Sequence, residues 1–130
     1  MSLRVAVALC NTLSHELKIP AAGIHLSDLY ESRIMNHESW YWLHSTKKHE
    51  LFIRESSSAE SRCISTDELS PFLQTGGQWT GELIPEHRMI VDAAGMREAE
   101  LRSLEEILPS FLQSRVYGHA TLTPWYGRGW

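Results

Sequence analysis

Residues 39–55 constrain the fold more than any other stretch, because their pattern has a period of two. Ser39-Trp40-Tyr41-Trp42-Leu43-His44 reads as a strand rich in aromatics, which suit a pleated, half-buried surface. The polar turn Ser45-Thr46-Lys47-Lys48 leads to a second strand, His49-Glu50-Leu51-Phe52-Ile53-Arg54-Glu55, and together they predict a β-hairpin. Alternation puts Trp40 and Trp42 on one face and Tyr41 with Leu43 on the other. Core packing accounts for that arrangement as well as a ligand platform does.

Around this hairpin the period changes. Residues 3–17 predict a helix, with Leu3, Val7, Cys10, Ser14 and Leu17 at helical spacing and Val5, Leu9 and Leu13 on a neighbouring face. Its first two turns are apolar nearly all round, so burial on more than one side is expected. Either the helix is sandwiched within its own domain, or part of it meets a missing segment or another subunit. Lys18-Ile19-Pro20 ends it, since proline disfavours the α conformation in the residue before it.

Ile19 to His25 is a short apolar run suited to a buried strand. Ser27 is placed to cap a helix from Asp28 to about Met35. After the hairpin, Glu55 to Ser61 is a polar loop, Arg62 to Ser65 a third strand, and Thr66 opens a short helix through TDELSPFL. Thr75-Gly76-Gly77 is a turn and Gln78 to Ile84 a further strand. The clearest helix is expected from Met96 to about Leu112, on the stripe Leu101, Leu104, Ile107, Leu108 and Phe111, with Pro109 placed to kink its last turn. The resulting class is α/β, a mixed sheet with flanking helices.

The chain has 130 residues, which suits a single domain over 1–130. With 42% hydrophobic and 22% charged residues, the composition is that of a folded protein and argues against disorder. Cys10 and Cys63 lack paired spacing and read as buried thiols, which mildly favours a reducing compartment. The apolar opening is too short for a membrane span and lacks the features of a signal peptide, so a soluble, cytoplasmic protein is expected. A net charge of -4, with Lys47-Lys48 the one adjacent basic pair away from the termini, argues against direct nucleic-acid binding.

No complete catalytic constellation appears. The seven histidines include no i, i+4 pair of the helical zinc kind, and no Cys-x-x-Cys is present, so no metal site is expected. His15-Glu16 fails as a metalloprotease motif because Pro20 breaks the helix. A phosphate loop and a Gly-x-Ser-x-Gly elbow are both missing. Glu50 and Glu82 sit among apolar residues and would matter for acid–base chemistry only if they shared one pocket. A small hydrolase-like enzyme using His44, His49 and Glu50 around the 43–50 hairpin is the alternative reading. It requires those side chains to converge in a concave site.

Several segments, taken in order, resemble the TsaB (YeaZ) family. Leu3-Arg4-Val5-Ala6-Val7-Ala8, continuing through Leu17-Lys18-Ile19-Pro20-Ala21-Ala22-Gly23-Ile24, is similar to that family's second helix and following strand. The hairpin Trp42 to Phe52 takes the place of its Asp-Ala-Arg strand and the next, and Pro124-Trp125-Tyr126-Gly127-Arg128 resembles its terminal Pro-x-Tyr-Leu-Arg. His44-Ser45-Thr46 replaces Asp-Ala-Arg, and Gly127 stands for leucine. The chain begins after the place of the family's N-terminal Gly-Pro-Gly-Ser-Phe-Thr-Gly loop, so it looks like the C-terminal part of such a protein or a reduced, divergent member.

The resemblance implies part of an actin-like, RNase H-like fold and a non-catalytic accessory subunit. The partner would be a TsaD-like protein, with a TsaE-like ATPase as a further one, in threonylcarbamoyl modification of tRNA adenosine. It implies no cofactor, and it makes Val5, Ala8, Leu9, Thr12 and Leu13 a partner-facing strip on the first helix. A general homodimerisation module using the same helix is the blander alternative.

Overall fold

The hairpin forms and becomes the centre of the molecule. The computed structural model describes residues 3–58, 60–73 and 75–123. β1 (Trp40–Lys47) and β2 (Glu50–Glu55) pair antiparallel, with His44 opposite Phe52 and Leu43 opposite Ile53. β3 (Arg62–Ser65) adds antiparallel to β2. On the other side β4 (Gln78–Glu82) lies parallel to β1, and the two-residue β5 (Arg97–Glu98) lies parallel to β4. The sheet order is β3-β2-β1-β4-β5, and β2 alone runs against the rest.

The helices are α1 (Leu3–Leu17), α2 (Leu26–Arg33), α3 (Thr66–Leu69) with a 3-10 turn at Ser70–Phe72, α4 (Pro85–Ala93) and α5 (Leu104–Gln113). Both sheet faces are covered. On one, Leu43, Leu51, Ile53, Ile64 and Trp79 pack with Leu69 of α3 and Val91 of α4. On the other, Trp40 and Trp42 pack with Ile34, Tyr30 and Leu101. Strand alternation therefore divides the aromatics as expected, and each fully buried Leu or Ile contributes roughly 1.5–3 kcal/mol.

The β1–β4 pairing depends on a glycine. Gly81 lies opposite Leu43 with φ of +123°, and a Cβ there would stand 2.0 Å from the Leu43 carbonyl oxygen. No side chain fits without moving the strand.

Several expectations need correction. Ile19 to His25 is not a strand: only Ala21 pairs, in an isolated bridge to Gly118. α2 starts at Leu26, capped by the imidazole of His25 rather than by Ser27. Ser45 to Lys47 continue β1, so the turn is only Lys48-His49. The cap of α3 is Ser65, and its side chain makes no capping bond. The helix expected from Met96 begins at Leu104, after β5. α4 was not anticipated, although Pro85 at its first turn and left-handed Gly95 after its end are the usual marks of a helix. Both cysteines are half-buried rather than buried. The similarity noted at Pro124–Arg128 lies outside the described residues.

Candidate functional site: an apolar groove and the outer face of the first helix

α1 ends where Lys18 turns into the left-handed conformation and the amide of Ile19 bonds back to the Ser14 carbonyl, 3.1 Å away. The chain then runs back along the sheet. Asn11 brackets Leu122, its Nδ2 donating to the Leu122 carbonyl at 2.9 Å and its Oδ1 accepting the Leu122 amide at 2.8 Å. Ala21 and Gly118 exchange both backbone bonds, at 2.8 and 3.0 Å. Val7, Cys10, Asn11 and Ser14 face inward and are half-buried.

The outward face is apolar. Val5, Leu9, Leu13 and Leu17 recur every four residues and are 55, 48, 49 and 60% exposed. All five residues of the expected partner strip, Val5, Ala8, Leu9, Thr12 and Leu13, lie on this exposed side, and the Thr12 hydroxyl donates to the Ala8 carbonyl. Leu17 extends the stripe and was not in the expected strip.

Between α1 and the sheet lies a groove of about 880 Å³. Val7 and Cys10 form one wall, residues 22–26 and 121–123 the sides, and Trp42, His44 and Phe52 the floor. The three floor rings stand nearly parallel, at 15° between Trp42 and His44 and 6° between Trp42 and Phe52. The His25 ring meets Trp42 edge-on at 5.5 Å.

Beside the groove, a buried guanidinium ties α2 to the sheet. Arg54 on β2 donates to Ser27 Oγ at 3.0 Å, Asp28 Oδ1 at 2.8 Å, Glu31 Oε2 at 2.6 Å and the Ser58 carbonyl at 3.0 Å. Its planar fork satisfies two helix carboxylates at once, which lysine cannot do. Ser27 Oγ also lies 2.7 Å from His25 Nδ1, which accepts the Ser27 amide. Burial, helped by the Arg54 charge and opposed by Asp28, lowers the pKa of His25 below its usual 6.5. Burial and the charge of Glu82 raise the Tyr30 hydroxyl, and burial and Glu55 raise that of Tyr41.

The hairpin residues do not assemble a catalytic site. His44 lines the groove, but neither His49 nor Glu50 does. His49 is exposed in the turn, and Glu50 stands 3.8 Å from Lys47 Nζ. Glu82 is the acceptor of the Tyr30 hydroxyl. His37 lines a separate depression between α2 and α5. Among the described residues, no cluster of three or more His, Cys, Asp or Glu is placed to hold a metal ion.

A Ser–His pair does exist at the end of β1, and sequence reasoning missed it by assigning Ser45 to the turn. Ser45 Oγ lies 2.7 Å from His87 Nδ1, and His87 Nε2 lies 2.7 Å from the Lys48 carbonyl. A carbonyl can only accept, so Nε2 carries the proton and Nδ1 accepts the Ser45 hydroxyl. The Ser45 oxygen in turn accepts the Ile84 amide at 2.9 Å, and His87 is wholly buried. A nucleophilic serine needs an oxygen open to substrate and a base oriented for proton transfer. Here the oxygen is engaged, and the pair ties the hairpin to the start of α4.

The chain matches no known protein-family model, no curated protein and no solved structure. No helix among the described residues is long and apolar enough to cross a membrane.

Proposed function

We propose that this chain is a non-catalytic interaction domain that engages another protein through the outer face of α1. The observation that carries this reading is the stripe Val5, Leu9, Leu13 and Leu17, each about half exposed or more along one face of α1. Regular i, i+4 ridges of this kind pack into the grooves of another helix. Covering the exposed half of each side chain would supply roughly 1 kcal/mol per residue before the cost of association.

The partner to which the TsaB resemblance leads is a TsaD-like protein, with this chain as an accessory subunit in threonylcarbamoyl modification of tRNA. The order β3-β2-β1-β4-β5, with β2 alone reversed, supports an RNase H-like unit of the kind that resemblance implies. The missing strand at 19–25 weakens one segment of the similarity and leaves the α1 contact unaffected.

The test is the solution mass of the chain alone and mixed with a TsaD-like protein from the same source. A mixed complex that Leu9→Glu or Leu13→Glu weakens at least about tenfold supports the reading. A monomer that ignores the TsaD-like protein overturns the accessory role. A self-associated species lost in the same variants would make α1 a homodimer contact instead.

A further inference from the structure

We infer that His25 is an acid-released clip at the joint between α1 and α2. When its imidazole is neutral it holds the first turn of α2, and when the ring takes up a proton that turn comes loose. This does not depend on which partner α1 meets.

The hydrogen bonds carry the argument. His25 occupies the N-cap position in extended conformation, and its Nδ1 accepts the amide of Ser27 at 3.1 Å. Nδ1 therefore carries no proton, and the Ser27 hydroxyl, 2.7 Å from the same nitrogen, donates to it. Helix caps are ordinarily Ser, Thr, Asp or Asn. An imidazole differs from those because a proton taken up near neutral pH abolishes its acceptor. An imidazolium here would turn an N–H toward the Ser27 N–H, and the cap bond would be lost. The hydroxyl does not relieve the conflict. Its oxygen already accepts from the Arg54 guanidinium at 3.0 Å, and Ser27 is 1% exposed, so two cations would converge on one buried oxygen. The positive end of α2 adds to the repulsion.

The surroundings set the direction. Asp28 of α2 favours the imidazolium, whereas burial and the Arg54 charge on β2 oppose it and prevail, so the ring releases its proton more readily than a free histidine. Glu31 of α2 is engaged by Arg54. His44 of β1 and Cys10 of α1 line the same groove as His25, and residues 121–123 bring no titratable side chain to it. The Arg54 bonds to Asp28 and Glu31 do not pass through the imidazole, so α2 keeps its hold on the sheet. What loosens is the joint, where residues 18–25 connect α1 to α2.

The test is an NMR titration of the full isotope-labelled chain from about pH 7.5 to about pH 5. The expected result is that the Ser27 amide shifts with the same midpoint as the His25 ring, below the usual 6.5. Its protection against hydrogen exchange, corrected for the intrinsic effect of pH, should fall about fivefold once the ring is protonated. The Glu106 amide, held by the Ser103 hydroxyl at 3.2 Å, is the reference and should stay in place. In His25→Asn, which keeps a cap acceptor and cannot titrate, the Ser27 amide should hold its position throughout. The inference is overturned if the Ser27 amide is indifferent to His25, if it follows the His44 midpoint instead, if Glu106 changes with it, or if His25→Asn shows the same shift. The comparison of midpoints in the native chain stands even if His25→Asn fails to fold.

Discussion

Replacing Arg54 with methionine tests whether α2 is held to the sheet by one buried guanidinium. Methionine keeps most of the stem's volume beside Trp40, over which the guanidinium sits at 5.6 Å, and removes all the polar bonds. The bonds to Ser27 Oγ and the Ser58 carbonyl are worth about 1 kcal/mol each. The side chains of Asp28 and Glu31 are 41 and 45% exposed, so water can replace part of what they lose, and each pair counts at the surface scale of about 0.5–1 kcal/mol. The apolar replacement recovers a portion of this, as it does for other buried ion pairs. The net loss should be about 2 kcal/mol, a fall of about 1 M in the urea midpoint at an m-value of about 2 kcal/mol/M. Tryptophan fluorescence and far-ultraviolet circular dichroism would follow the transition. A double-mutant cycle of Arg54→Met with Glu31→Gln should show coupling above about 0.5 kcal/mol. An unchanged midpoint, or strictly additive losses, would refute the idea that these groups act as one anchor.

Ser45→Ala should cost roughly 2–4 kcal/mol in urea unfolding, because it leaves both His87 Nδ1 and the Ile84 amide without their partner; an unaltered midpoint would show that the tie carries no stability. The lowered pKa of His25 makes stability fall as pH drops below 6.5, since the unfolded chain takes up the proton first, and the loss levels off below the folded value. His25→Asn, which keeps a side-chain cap for α2, should flatten that part of the pH–stability curve; the same slope in both proteins would exclude His25 as its source.

How much was legible in the sequence depended on whether the information was local. The hairpin was readable because Trp40 to Leu43 and Leu51 to Ile53 are runs of strand-forming residues on either side of a polar stretch, and its faces divided as the alternation of side chains along a strand requires. Its turn was misplaced because Ser45 and Thr46 have turn chemistry, yet Ser45 is held in the strand by His87, 42 residues away. Residues 19–25 have strand composition, but the sheet's edges lie elsewhere, and only Ala21 forms a strand-type bridge, to Gly118. Residues 96–112 looked helical throughout because Leu101 falls on the stripe of α5; it is instead engaged in a bridge to Ile34. Apolar residues all round α1 predicted burial on more than one side, yet within this chain the face carrying Val5, Leu9, Leu13 and Leu17 is about half exposed. Arg54 looked like any strand residue, since nothing near it signals that Asp28 and Glu31, one helical turn apart, converge on it. The groove was invisible for the same reason: its lining combines residues from five separate stretches of the chain.

The clasp between the two ends of the described chain has a mechanical consequence. A load applied across residues 3 and 123 would first meet the Asn11–Leu122 bonds and the two-bond bridge between Ala21 and Gly118, well before any strand of the central sheet. Those four bonds act as a latch in series with α1. Opening them would swing the helix away as a lever, removing one wall of the groove while the sheet and its two cores stay intact.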